Sequence, residues 1–267
     1  MKRILLTFSV LLPINSLLAM QSLPQVHEPS ERTRNYVEKA LKAFEIPLAS
    51  IKIYGFEHAE RSGWCKSDKK EIAMCEHMND LFTEYISFHE AAHMKDDAAR
   101  KIKNHSEFAT GFLGGVWLGT YALLNKTALI KEYMNTHPLI GILAHAVYGG
   151  IGALSTCWFH FNIARPWATE QAEYRADKMA IEKLIDLNQL NPILMHLVSL
   201  KISEKKDGNK KINGHPASVK EYTANKKTLE KHGYQAKETK ENNDLIISLT
   251  KNEHSAQAIV QNYYSKV

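Results

Sequence analysis

Apolar and polar positions change period several times along this chain, and each change marks an element. Residues 31–45 place apolar side chains every three or four positions between charged ones, which predicts an amphipathic helix. Residues 49–56 (ASIKIYGF) alternate instead, with Ile51, Ile53 and Gly55 on one side and Lys52 and Tyr54 on the other, and predict a short strand. EIAM at 71–74 reads as a second short strand. Asn79 or Asp80 then supplies an N-cap for a helix running to about Lys103. Leu81, Tyr85, His89 and His93 fall on one face of that helix.

The pattern then loses its polar half. Residues 108–125 and 138–164 carry no charged side chain, and each span approaches or exceeds the roughly 20 residues that cross a hydrocarbon core. Gly111, Gly115 and Gly119 recur every four positions in the first span, and Gly141, His145, Gly149 and Ala153 do so in the second. Such small-residue stripes let membrane helices approach closely. Residues 108–164 are therefore expected to form a transmembrane hairpin joined by NKTALIKEYMNTH. The alternative is a hairpin buried in a soluble fold, against which mid-helix glycines count at about 1 kcal/mol each. His145 and His160 are expected to make helix-packing hydrogen bonds within it.

Beyond the hairpin, Pro166 opens a further helix on which Glu173, Asp177, Ile181 and Leu184 share a face. Residues 191–205 and 216–232 predict two more amphipathic helices, and the tail, 243–267, is expected to be helical as well. The fold class implied is mainly α with a small β-sheet (α+β). Its parts are an N-terminal segment 1–20, a domain half at 21–107, the hairpin at 108–164 and a helical second half at 165–267.

Composition adds an address. Lys2 and Arg3 precede an apolar run over residues 4–12, with Ala19 at a plausible cleavage position, the layout of a signal peptide or an uncleaved anchor. Export to a bacterial periplasm, or an inner-membrane location with the catalytic side periplasmic, follows from that reading. Arg100, Lys101 and Lys103 outnumber the hairpin loop's Lys126 and Lys131, which taken alone would put the preceding helix in the cytoplasm. The N-terminal signal is the one followed here. Without Lys2 and Arg3 the net charge of +5 falls to +3, too little and too scattered for a nucleic-acid partner. Cys65 and Cys75 are candidates for a disulfide in an oxidising compartment, and Cys157 reads as a small buried hydrophobe.

The chemistry lies in SFHEAAHMKD, residues 87–96. In H-E-x-x-H on a helix the histidines at i and i+4, here His89 and His93, reach one ion, and the intervening Glu90 stands beside it as a general base. A catalytic zinc of this kind needs a third protein ligand. Glu173 is the best placed candidate, with Asp177 one turn on to accept a hydrogen bond from a ligand imidazole. The alternative reading of Glu170, Glu173 and Asp177 is a solvated acidic face.

HEAAH, two apolar spans, EYRAD and GHP, in that order over residues 60–235, resemble the HtpX and CAAX-prenyl-endopeptidase family of membrane-linked gluzincins. The resemblance implies a zincin-like catalytic domain with an inserted hydrophobic hairpin and a polypeptide substrate. It implies that His89, His93 and Glu173 hold Zn2+, that Glu90 is the base, that Asp177 orients a ligand, and that His215 is a second catalytic residue near the cleft that polarises the scissile carbonyl or caps the zinc. Two positions depart from the family pattern: Lys95 replaces an apolar residue, and Glu221 stands where a basic residue is usual. The rival reading is a non-catalytic membrane-anchored binding or holdase protein.

Overall fold

The computed structural model describes residues 25–57, 62–127, 132, 136–207, 216–252 and 254–261. The expected N-terminal segment and His215 lie outside the described residues. The molecule is mainly helical with two small sheets, of the α+β class. Strand β1 (Val26–His27) and helix α1 (Glu31–Ala43) lead into β2 (Lys52–Phe56), β3 (Gly63–Lys66) and β4 (Glu71–Cys75). The first sheet has the order β1-β2-β4-β3, with β2 and β4 parallel and both outer strands antiparallel to their neighbours. Glu76, just past β4, accepts from Ser30 N (2.9 Å), Ser30 Oγ (2.6 Å) and Thr33 Oγ1 (2.7 Å), so the start of α1 is pinned to the end of the sheet.

EIAM is a strand as expected, in the interior of its sheet, and among the described residues β3 is the edge strand beside it. The register pairs Cys65 with Ile72, three positions short of Cys75, and the two sulfurs are not joined. Three residues along a strand is about 10 Å, too far for a disulfide, so the expected bridge is not formed.

Helix α2 (Asp80–Lys95) is capped by Asn79, whose side chain accepts from Phe82 N at 2.9 Å. It stops eight residues earlier than the pattern predicts, because Asp96 leaves helical geometry (φ −80°, ψ 88°) and caps a new helix, α3 (Asp97–Lys126), through Ala98 N at 2.9 Å. Arg175 then clasps the buried Asp96 carboxylate with both arms, Nε–Oδ2 2.7 Å and Nη2–Oδ1 3.0 Å.

Helix α3 pairs with α4 (Pro138–Phe159) as the predicted hairpin. Its apolar residues face outward: Phe108, Leu118, Leu139 and Trp158 are all exposed, Leu139 at 82%. Cys157 is exposed too, not buried as expected. Four glycines of the stripes do not make the helix contact. A Cβ at Gly111, Gly115, Gly119 or Gly149 would meet nothing within 4 Å, whereas at Gly152 it would stand 1.9 Å from Trp117 Nε1. Trp117 lies against Gly152 and donates to Tyr148 O at 3.2 Å. The two histidines pair across the hairpin as expected, His145 with Tyr121 and His160 with Thr110 (3.2 Å).

Pro166 does not open a separate helix. Residues His160–Ala164 form a π turn, closed by Arg165 N–H on His160 O, and the chain runs through it into α5 (Arg165–Asp186). The wider turn removes the need for the N–H that proline lacks. The resulting rod, Leu139–Asp186, is among the described residues the one helix long and apolar enough to cross a membrane, with 11% of its apolar window buried.

Helices α6 (Leu190–Asp207) and α7 (Ser218–Lys231) follow, and with α1, α2 and α5 they enclose a core that includes Leu41, Phe88, Ile181, Ile193 and Leu197, each 0% exposed. The tail is a sheet, not a helix: β5 (Gln235–Glu241), β6 (Asp244–Lys251) and β7 (His254–Val260) form an antiparallel meander. Ile246, Ile247 and Thr250 suit strands. Asn242 (φ 54°) and Asn252 (φ 51°) take the left-handed geometry that tight hairpin turns require and asparagine tolerates.

Candidate metal centre

One turn of α2 brings His89 and His93 onto the same side, and α5 crosses to meet them. His89 Nε2 and His93 Nε2 lie 3.1 Å apart; Glu173 Oε2 is 3.2 Å from the first and Glu173 Oε1 3.6 Å from the second. An ion bound at about 2.0–2.1 Å in a tetrahedron would have ligands about 3.3 Å apart. The three groups thus have the spacing of ligands around a single ion, and the donor set of two imidazoles and a carboxylate suits zinc and its neighbours. All three side chains are largely shielded, with 9%, 17% and 14% exposure for His89, His93 and Glu173. They form a buried group able to hold a metal ion.

Asp177, fully buried one turn beyond Glu173, accepts from His89 Nδ1 at 2.8 Å and from Tyr85 OH at 2.9 Å. With an Nδ1 proton engaged by Asp177, His89 would present Nε2 to an ion held between it, His93 and Glu173. Burial alone would push His89 down, but its hydrogen bonds to Asp177 and Glu173 and their charges outweigh this and hold it well above the ordinary histidine range. Burial would push Asp177 up, and here His196 and His89 win and hold it well below the usual carboxylate range.

Glu90 is buried and leaves α2 about 100° round from His89. Cys65, on the edge strand β3, senses it: burial first, then the charges of Glu90 and Glu173, push the Cys65 thiol up. Cys65 on strand β3 therefore lies within electrostatic reach of Glu90 and Glu173. A Cβ at Gly63 would stand 3.0 Å from Ile86 Cγ2, so the edge strand lies tight against α2.

His89, Glu90, His93, Glu173 and Asp177 are thus gathered on two crossing helices, and His215 lies outside the described residues. Sequence reasoning missed what stands behind Asp177: Asn225 Nδ2 donates to Asp177 Oδ2 at 3.0 Å, and His196 and Glu221 complete a second buried group. The available signals were a histidine inside the apolar run of α6 and an asparagine four residues after Glu221 on α7. No family profile, curated protein sequence or solved structure matches the chain.

Proposed function

We propose that this chain is a membrane-linked zinc endopeptidase that hydrolyses peptide bonds of membrane or exported proteins. The observation that carries the reading is the convergence of His89, His93 and Glu173 at 3.1–3.6 Å, with Asp177 behind His89 at 2.8 Å. Zinc held there would polarise a peptide carbonyl and make nearby water acidic at neutral pH.

The chain's own groups do the rest. The outer edge of β3 pairs with an extended substrate strand, as sheet edges commonly do, and lays it along α2. The Glu90 carboxylate takes a proton from the attacking water and delivers it to the departing amide nitrogen. Asp177 keeps the proton of His89 on Nδ1 throughout. The exposed apolar surface of the α3–α4 hairpin lies in the bilayer, and export of the chain that follows the N-terminal segment puts the catalytic side in the periplasm.

The test is Glu90→Gln in purified full-length protein. The variant keeps one zinc per chain and loses casein cleavage by about a hundredfold or more, while His93→Ala loses the metal. Wild-type cleavage by the glutamine variant would refute the mechanism. Absence of stoichiometric zinc in the wild type would leave a binding protein in its place.

A further inference from the structure

The Asp177 carboxylate is gripped from two sides. In front, Oδ1 takes the His89 and Tyr85 protons at 2.8 and 2.9 Å. Behind, Oδ2 takes the Asn225 amide at 3.0 Å, with His196 Nε2 at 3.6 Å. Asn225 Nδ2 lies 3.0 Å from His196 Nε2, and Glu221 Oε1 lies 3.5 Å from the same nitrogen. The His196 ring stacks on Tyr85 at 3.9 Å with 9° between planes, so the group behind Asp177 also braces the tyrosine in front of it. Residues from α2, α5, α6 and α7 meet at this one carboxylate, and Asp177, His196 and Asn225 are 0%, 5% and 1% exposed.

An aspartate's terminal torsion is broad. Bonds to one oxygen leave the carboxylate able to swing, and His89 would swing with it. Bonds to both oxygens stop this. We propose that Asn225, His196 and Glu221 are positioning residues that lock Asp177 from behind and thereby set the affinity of the centre for zinc through the ring of His89. The proposal rests on the reading of His89, His93 and Glu173 as zinc ligands. Glu221 fits the role as a neutral partner: burial, then the Asp177 charge, push it up to about 9, so at neutral pH it is a proton donor and not a second anion. This accounts for an acidic side chain at a position where the resembling family has a basic one.

The experiment measures the zinc dissociation constant of metal-stripped full-length protein by competition with a chromophoric chelator, alongside the thermal midpoint of the same apoprotein. Asn225→Ala and His196→Ala should bind zinc about tenfold more weakly, the lower end of the range for residues supporting metal ligands. Glu221→Gln, which keeps a neutral donor, should match wild type. His196→Asn stands in if the alanine variant does not fold. Variants that melt earlier yet bind zinc as tightly as wild type would reduce the group to core packing and overturn the proposal. Loss of a second, separate equivalent of metal in His196→Ala would also overturn it, by making the group an ion site. A wild type that binds no zinc would instead sink the ligand reading itself, a result recognisable before any variant is made.

Discussion

Replacing Asp177 by asparagine separates shape from charge at the metal centre. The amide oxygen can occupy the place of Oδ1 and keep the bonds to His89 Nδ1 and Tyr85 OH, now 2.8 and 2.9 Å long. Both bonds lose the assistance of a full negative charge, about 1 kcal/mol each. The new NH2 then faces the Asn225 amide, donor against donor, where Oδ2 now accepts at 3.0 Å. A loss of about 2 kcal/mol passed to the ion is about thirtyfold in zinc affinity. The pH dependence carries a sign of its own. Asp177 and Glu173 overcome burial to hold His89 well above its ordinary value, so a zinc ion bound there would have to displace a proton at neutral pH. Removing the Asp177 charge lowers that pKa and weakens the competing proton. The variant's deficit should therefore be smallest near pH 6 and widen as pH rises and wild-type His89 gives up its proton. Chelator competition at several pH values measures this. Equal affinities for variant and wild type at high pH would refute the role given to Asp177.

Three further outcomes are expected. Gly152→Leu should splay the hairpin, because its side chain must displace Trp117, at a cost of about 1–3 kcal/mol; Gly115→Leu should be silent, and thermal melts in detergent compare the two. Glu221→Gln should flatten the pH dependence of stability: a folded-state pKa raised to about 9 means that the native state holds a proton the unfolded chain has released, so wild-type stability falls from about pH 4.5 towards 9 while the variant's does not. Parallel melting curves for the two proteins would contradict this. Arg175→Met leaves the buried Asp96 carboxylate with its cap bond to Ala98 but without either guanidinium bond. The partly exposed arginine limits the cost to about 2 kcal/mol, read as a lowered midpoint in urea unfolding.

The helix with HEAAH, the hairpin and the three helices after it were legible because each carries a strong period or a long uncharged run. The site was legible as far as i, i+4 spacing reaches: His89 with His93 on α2, Glu173 with Asp177 on α5. Residues that converge only through tertiary packing were not. His196 lies in an apolar run and Asn225 on a helix face that reads as solvated, and only the meeting of α6, α7 and α5 at Asp177 gives them a purpose. The tail was misread because two asparagine turns, not hydrophobic period, make it a meander. The break at Asp96 was missed because its cause, Arg175, is 79 residues away.

The π turn at His160–Ala164 has a mechanical meaning. It acts like one extra residue in an otherwise regular spiral, and one residue is about 100° of rotation. It sets the angular phase between the exposed apolar stretch of the rod and the stretch that presents Glu173, about 13 Å further on. The third ligand-type side chain is therefore mounted on the same continuous rod as the exposed apolar stretch.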